Sequence, residues 1–193
     1  MTVANPATLA HGVYGIFRLV VLFCTPSLLL TVDQMHALPV RAFLVSVVAI
    51  RQTGFQHEVL LLKRVQHPAG EWCQVAGKIE ADESAWQAAL RELREETQLT
   101  PTSFYSADMN EQFYEAGRDA ITVAPVFVAV INSTDTVSIN QEHSAFRWVS
   151  FDKAAEMVAF GGQRRILRWI EEEFVKREPS NHLLIKTEEA AAF

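Results

Sequence analysis

The chain has 193 residues, of which 49% are hydrophobic and 21% charged, so it has the composition of a folded protein with room for one sizeable core. With 23 acidic against 17 basic residues and a net charge of −6, it lacks the basic excess of a nonspecific nucleic-acid binder. Cys24 and Cys73 are its only cysteines, and without a CxxC or a Cys/His cluster they indicate neither a disulfide framework nor a zinc site.

Residues 1–34 differ in character from the remainder of the chain. Val13 to Leu30 is almost wholly apolar, interrupted by Arg18 and Pro26. A spanning or signal segment calls for a basic start, yet no Lys or Arg occurs between Met1 and Gly12, and no convincing cleavage site follows Leu30. The favoured expectation is a non-native leader ahead of a start at Met35. An accessory element packed on the domain and membrane association through residues 13–30 are the alternatives. The domain is then expected over 35–178, with 179–193 a frayed C-terminal tail.

From Arg41 to Arg51 the chain is rich in β-branched residues and predicts a buried strand. Gln52-Thr53-Gly54 marks a turn, and Glu58 to Lys63 is the returning strand. Lys63 and Arg64 at its end are candidate phosphate contacts, although surface cations are the commoner role for such residues. His67 to Gly70 is a loop, and Trp72 to Val75 is a short strand leading to Gly77.

Ser84 with Gln87 forms a capping box that opens a helix of good helix formers. On that helix Glu92, Glu95 and Glu96 fall within an arc of roughly 100°, beside an apolar face of Trp86, Ala89, Leu90, Leu93 and Thr97. Arg91 can pair with Glu95 but cannot neutralise all three carboxylates. Such an oxygen-only cluster suits a hard divalent ion, Mg²⁺ or Mn²⁺. A Glu triplet alone is more often a solvated acidic face.

The surrounding spacing changes that balance. Gly77, Glu83, Arg91, Glu92, Leu93, Glu95, Glu96 and Leu99 match the Nudix box, which the stretch 77–99 closely resembles. Its Gly, Glu and Arg matches alone arise by chance on the order of once per ten million starting positions. Gln98 stands where the pattern has its last glycine, a departure that touches the helix exit and no carboxylate. The resemblance implies an α/β fold, a Nudix-type α/β/α sandwich with a mixed central sheet. It also implies a Gly77 carbonyl facing the metal, and a loop supported by Glu83.

After the helix, Asp108 to Ala116 is a candidate strand in which Glu111 and Glu115 read as surface acids. Ile121 to Asn132 is a central strand, with Pro125 hinting at an edge or bulge. Val137 to Ile139 is expected to pair briefly. Glu142-His143 before a short strand ending near Trp148 is also similar to Nudix domains, and the likeness makes Glu142 a further metal ligand or the base. Asp152 is expected to cap a helix reaching Phe160, and Gly161-Gly162 to break it. A last helix then spans Gln163 to Lys176, with Ile166, Leu167, Trp169, Ile170 and Phe174 buried.

Taken together, the resemblance implies Mg²⁺-dependent hydrolysis of a small-molecule phosphoanhydride. Glu92, Glu95, Glu96, Glu142 and Gly77 would hold metal, Glu92 or Glu142 would act as base, and Arg91 would orient a glutamate. The stretches 72–93 and 141–157 are most similar to the dihydroneopterin triphosphate pyrophosphatase and dATP pyrophosphohydrolase branch, which implies release of a monophosphate and pyrophosphate. The alternatives are an ADP-ribose, nucleotide-sugar or dinucleoside polyphosphate hydrolase, and a nucleotide-sensing module without turnover. A cytoplasmic monomer or homodimer is expected.

Overall fold

The computed structural model describes residues 37–66 and 68–186. The expectations for residues 1–34, and those for 187–193, lie outside the described residues. The strands are β1 (Val40–Arg41), β2 (Leu44–Thr53), β3 (Gln56–Arg64), β4 (Trp72–Cys73), β5 (Val75–Lys78), β6 (Ser103–Glu115), β7 (Ala120–Ile131) and β8 (His143–Val149). The helices are α1 (Ala85–Thr97), α2 (Phe151–Met157) and α3 (Gly161–Phe174), followed by a 3₁₀ turn at Asn181–Leu183.

These strands make one mixed sheet. β2 runs parallel to β7 and antiparallel to β3 and β5, and β6 and β8 pair on the outer sides of β7 and β3. Strand alternation sorts the core into two layers. Val45, Val47 and Ala49 of β2, with Leu60 and Leu62 of β3, face Ala88, Ala89 and Leu93 of α1. Val48, Ile50, Val59 and Leu61 face Ile166, Leu167, Ile170 and Phe174 of α3. Helices therefore cover both faces of the sheet, giving the expected α/β/α sandwich.

Several boundaries move, each for a local reason. β6 starts at Ser103 and bulges between Ser106 and Asn110, opposite the Pro125 region of β7. Proline has no N–H for the ladder, so the irregularity sits where pairing is weakest. Val137–Ile139 finds no strand partner. Instead the Ser138 and Asn140 amides donate to Thr97 and Glu96 carbonyls, satisfying groups left open at the end of α1.

Ser150, not Asp152, caps α2, which ends at Met157. Val158 is extended and bridges to Trp72. Gly161 and Gly162 begin α3 rather than break a helix. Trp169 lies at the rim of the α3 stripe, 37% exposed, with its indole N–H donating to the Ala107 carbonyl. The segment after Pro179 is not frayed over its described part. The Ile185 amide donates to the Phe104 carbonyl at 2.8 Å, and Ile185 and Leu183 pack against the two cores.

Candidate active site

The loop–helix unit from β5 through α1 is held at its entrance by a capping box. Ser84 accepts from the Gln87 amide, and Gln87 Oε1 accepts from the Ser84 amide at 2.8 Å. At the exit, Gln98 occupies the left-handed region (φ 59°, ψ 15°). Its amide and its side-chain Nε2 both donate to the Arg94 carbonyl. The glutamine thus performs the closing turn normally given to glycine.

Arg91 ties the loop to the helix. Its Nε and Nη2 fork onto Glu83 at 3.1 and 2.8 Å, and Nη2 also donates to the Lys78 carbonyl at 2.8 Å. Nη1 reaches Glu92 at 2.9 Å and Glu95 at 3.1 Å. The Arg91 fork, helped by the Glu80 amide, holds the Glu83 carboxyl below the ordinary range. Glu83 thereby fixes the guanidinium that holds two glutamates of the helix.

Gly77 lies under the Glu92 carboxylate. A Cβ built on Gly77 would stand 1.8 Å from Glu92 Cδ, so only a hydrogen fits there. Glu92 is partly buried, which raises its pKa against the pull of Arg91. Glu96 is 3% exposed, and burial is the first cause of a pKa pushed up to about 8; Glu92 and Glu142 add to it by repulsion. The Arg64 guanidinium and the Ala76 amide act in the opposite direction. Glu95 is on the solvent side, its side chain 56% exposed.

Glu142 is exposed, its backbone pinned by Val65 N–H to its carbonyl and by its own N–H to Asn140 Oδ1. The neighbouring His143 is buried, within 3.3 Å of Asn140 Oδ1 through Nδ1 and 3.8 Å of Glu96 Oε2 through Nε2. Burial lowers its pKa, with Arg64 second, so it is a neutral packing group. The two cations at the end of β3 part company, because successive strand residues face opposite ways. Arg64 lies by Glu96, Cys73 and His143, whereas Lys63 stands 6.0 Å from the Trp72 ring, on the α3 side.

One residue, Asn140, escaped the sequence reading, and one candidate pair was left unseparated. Arg64 was one of a pair that sequence position alone does not separate, and Asn140 carried no motif. Glu111 also differs from its reading as a surface acid. It is part-buried, and that burial raises its pKa. Glu115 is bound by Arg118 and by the Thr122 hydroxyl.

The donor set fits a hard cation in its chemistry. All the candidate side-chain ligands are carboxylates, and Glu96 Oε2 is buried with no hydrogen-bond partner. Among the described residues, no three carboxylate, imidazole or thiol groups stand close enough together to grip an ion as placed, because Glu92 and Glu95 are turned toward Arg91.

Comparison with known proteins agrees with this architecture. The NUDIX domain model matches residues 42–170. An asymmetrical bis(5'-nucleosyl)-tetraphosphatase of Caenorhabditis elegans is 29% identical over 123 residues, covering 63% of this chain and 88% of that protein. An octanoyltransferase of Myxococcus xanthus is 32% identical over 126 residues, 64% of this chain, and the chain spans 35% of that relative's length. Among solved structures, C. elegans Ap4A hydrolase superposes with a TM-score of 0.61 at 23% identity, covering 69% of this chain and 97% of that one. The E. coli dihydroneopterin triphosphate pyrophosphohydrolase superposes with a TM-score of 0.56 at 22% identity, over 72% and 99% of the two chains. These two likenesses are of fold. With the box carboxylates in place on α1 and the family model matched over most of the described residues, the chain belongs to the Nudix family and is a Nudix hydrolase.

Proposed function

We propose that this Nudix hydrolase cleaves a phosphoanhydride bond of a nucleoside or pterin triphosphate, with Mg²⁺ or Mn²⁺, to a monophosphate and pyrophosphate. The observation that carries the reading is the buried, unpartnered Glu96 Oε2 beside Glu92. A carboxylate in that setting is stabilised by a cation. Glu92, Glu95, Glu96 and Glu142 would hold the metal, with the Gly77 carbonyl. A bound divalent ion supplies neutralisation of phosphate oxygens and a more acidic water.

The chain's own groups do the rest. Glu83 and Lys78 fix the Arg91 guanidinium, and Arg91 orients Glu92 and Glu95. Glu92, packed on Gly77, and Glu142, on the solvent side, are the two carboxylates available to take a proton from the attacking water. Arg64 is the cation next to the buried glutamate, and is the better placed of the two β3 cations to meet a phosphate.

A second reading, hydrolysis of a dinucleoside polyphosphate, is favoured by the tetraphosphatase relative, of which the chain covers 88%. Incubation with Mg²⁺ and each substrate class, with chromatographic identification of products, separates the two. Pyrophosphate from triphosphates is expected, and cleavage restricted to dinucleoside polyphosphates would favour the second reading. Glu96→Gln, folded by circular dichroism, should lose turnover by roughly 10³-fold or more. Wild-type turnover in that variant would refute the assignment.

A further inference from the structure

On the opposite face of the sheet from α1 lies a polar group that the hydrolytic chemistry does not use. Gln74 is 2% and Ser46 1% exposed, on the face of the sheet whose core is built from apolar side chains. Gln74 Nε2 donates to Ser46 Oγ at 3.0 Å and to Glu111 Oε2 at 3.2 Å. That fixes the amide orientation, because the flipped amide would set its oxygen against a carboxylate. Gln74 Oε1 is then buried with no donor. Glu111 is part-buried, and no cation offsets the burial that raises its pKa. Gln163, heading the buried stripe of α3, offers a further buried carbonyl oxygen without a donor. Buried acceptors of this kind are costly unless something donates to them.

Small residues flank two members of the group. Ser46 is in register with Ala76, and Glu111 with Ala124, so the strand partners of both residues carry only a methyl group. The group is also tied to the hydrolytic site. The Ala76 amide donates to Glu96, and the Cys73 thiol, one residue before Gln74, feels the charges of both Glu96 and Glu111.

We propose that Ser46, Gln74 and Glu111 form the ring-reading end of the substrate site, with Gln74 Oε1 and Glu111 Oε1 accepting the adjacent N–H donors of a 2-amino-4-oxopyrimidine ring, as in guanine or a pterin. Two neighbouring acceptors ask for two neighbouring donors. Guanine and pterins place a ring N–H beside an amino group. Adenine and cytosine place a ring acceptor there, inosine lacks the amino group, and uracil flanks its N–H with carbonyls. The proposal rests on the phosphoanhydride reading above and names the ring that such a substrate carries.

The test compares GTP, ITP, ATP and dihydroneopterin triphosphate as Mg²⁺-dependent substrates of the wild type, Glu111→Gln and Gln74→Met. Binding of GMP, IMP and neopterin is measured alongside by calorimetry, which needs no turnover. A wild-type kcat/KM for GTP or the pterin roughly ten- to hundred-fold above that for ITP and ATP is expected. Both variants, folded by circular dichroism, should collapse that ratio mainly through KM. The larger kcat/KM of GTP or the pterin identifies the source of the ring. Equal kcat/KM for GTP and ITP, or a ratio untouched by both variants, overturns the inference while leaving the hydrolase reading intact. GMP binding above IMP in a protein that hydrolyses none of these compounds supports the ring site and overturns the hydrolase reading instead. Neither binding nor hydrolysis overturns both.

Discussion

At Gly77 a hydrogen is the largest substituent that fits, because the Glu92 carboxylate occupies the space a methyl group would need. The obstructing atoms belong to the far end of a flexible side chain, so Gly77→Ala should swing Glu92 aside rather than unfold the sheet. We expect kcat to fall by roughly 10²-fold with the thermal midpoint nearly unchanged, checked by steady-state kinetics beside a melting curve. An alanine variant with full activity would show that the placement of Glu92 over Gly77 is incidental. The same scale explains what the sequence could not disclose. Glycine, glutamate and arginine at the box spacing are visible as letters, but burial is not. Glu95 and Glu96 look equivalent in the chain, yet one faces solvent and the other is nearly sealed.

Helix α1 shows how far pattern reading reaches. Its start was legible because Ser84 and Gln87 are a local pair whose bonds depend on no distant contact. Its buried face was legible from the 3.6-residue period, though Trp86 and Leu90 are only partly buried and Ala88 fully so. The exit departs from the box pattern, and the left-handed Gln98 carries a cost of roughly 1–2 kcal/mol that glycine avoids. Offset by the greater freedom of glycine in the unfolded chain, Gln98→Gly should still stabilise by roughly 0.5–1 kcal/mol in urea denaturation, and a destabilised variant would contradict the αL-strain argument. The boundaries of α2 and α3 were less legible because Ser150 and Asp152 are both good caps, and paired glycines suit a helix start as well as a break. The docked stretch around Ile185 was hidden for a different reason: its partner, Phe104, is about eighty residues away in sequence.

For the molecule as a whole, the two faces of one sheet are covered by different elements, with α1 and its carboxylates on one side and the α3 layer on the other. Alternating strands made this sandwich readable from periodicity, but not which cation of Lys63-Arg64 faces α1, because a one-residue shift of register exchanges the faces. The electrostatics make stability depend on pH in a set direction. Folding raises the Glu96 pKa from its ordinary 4.5 to about 8, so the folded state binds more protons than the unfolded state between those values. Without divalent ions, stability should therefore fall as pH rises from about 4.5 through about 8, and Mg²⁺ should restore it most at the alkaline end. Urea midpoints measured across that range, with and without Mg²⁺, check this, and a Mg²⁺ effect that fades toward alkaline pH would contradict it. The most direct test of the central claim is an anomalous difference map from crystals soaked in Mn²⁺. The account predicts a peak within about 2.3 Å of Glu96 and a second box glutamate. A map with no peak at that cluster, from crystals that bind Mn²⁺ elsewhere, would contradict it.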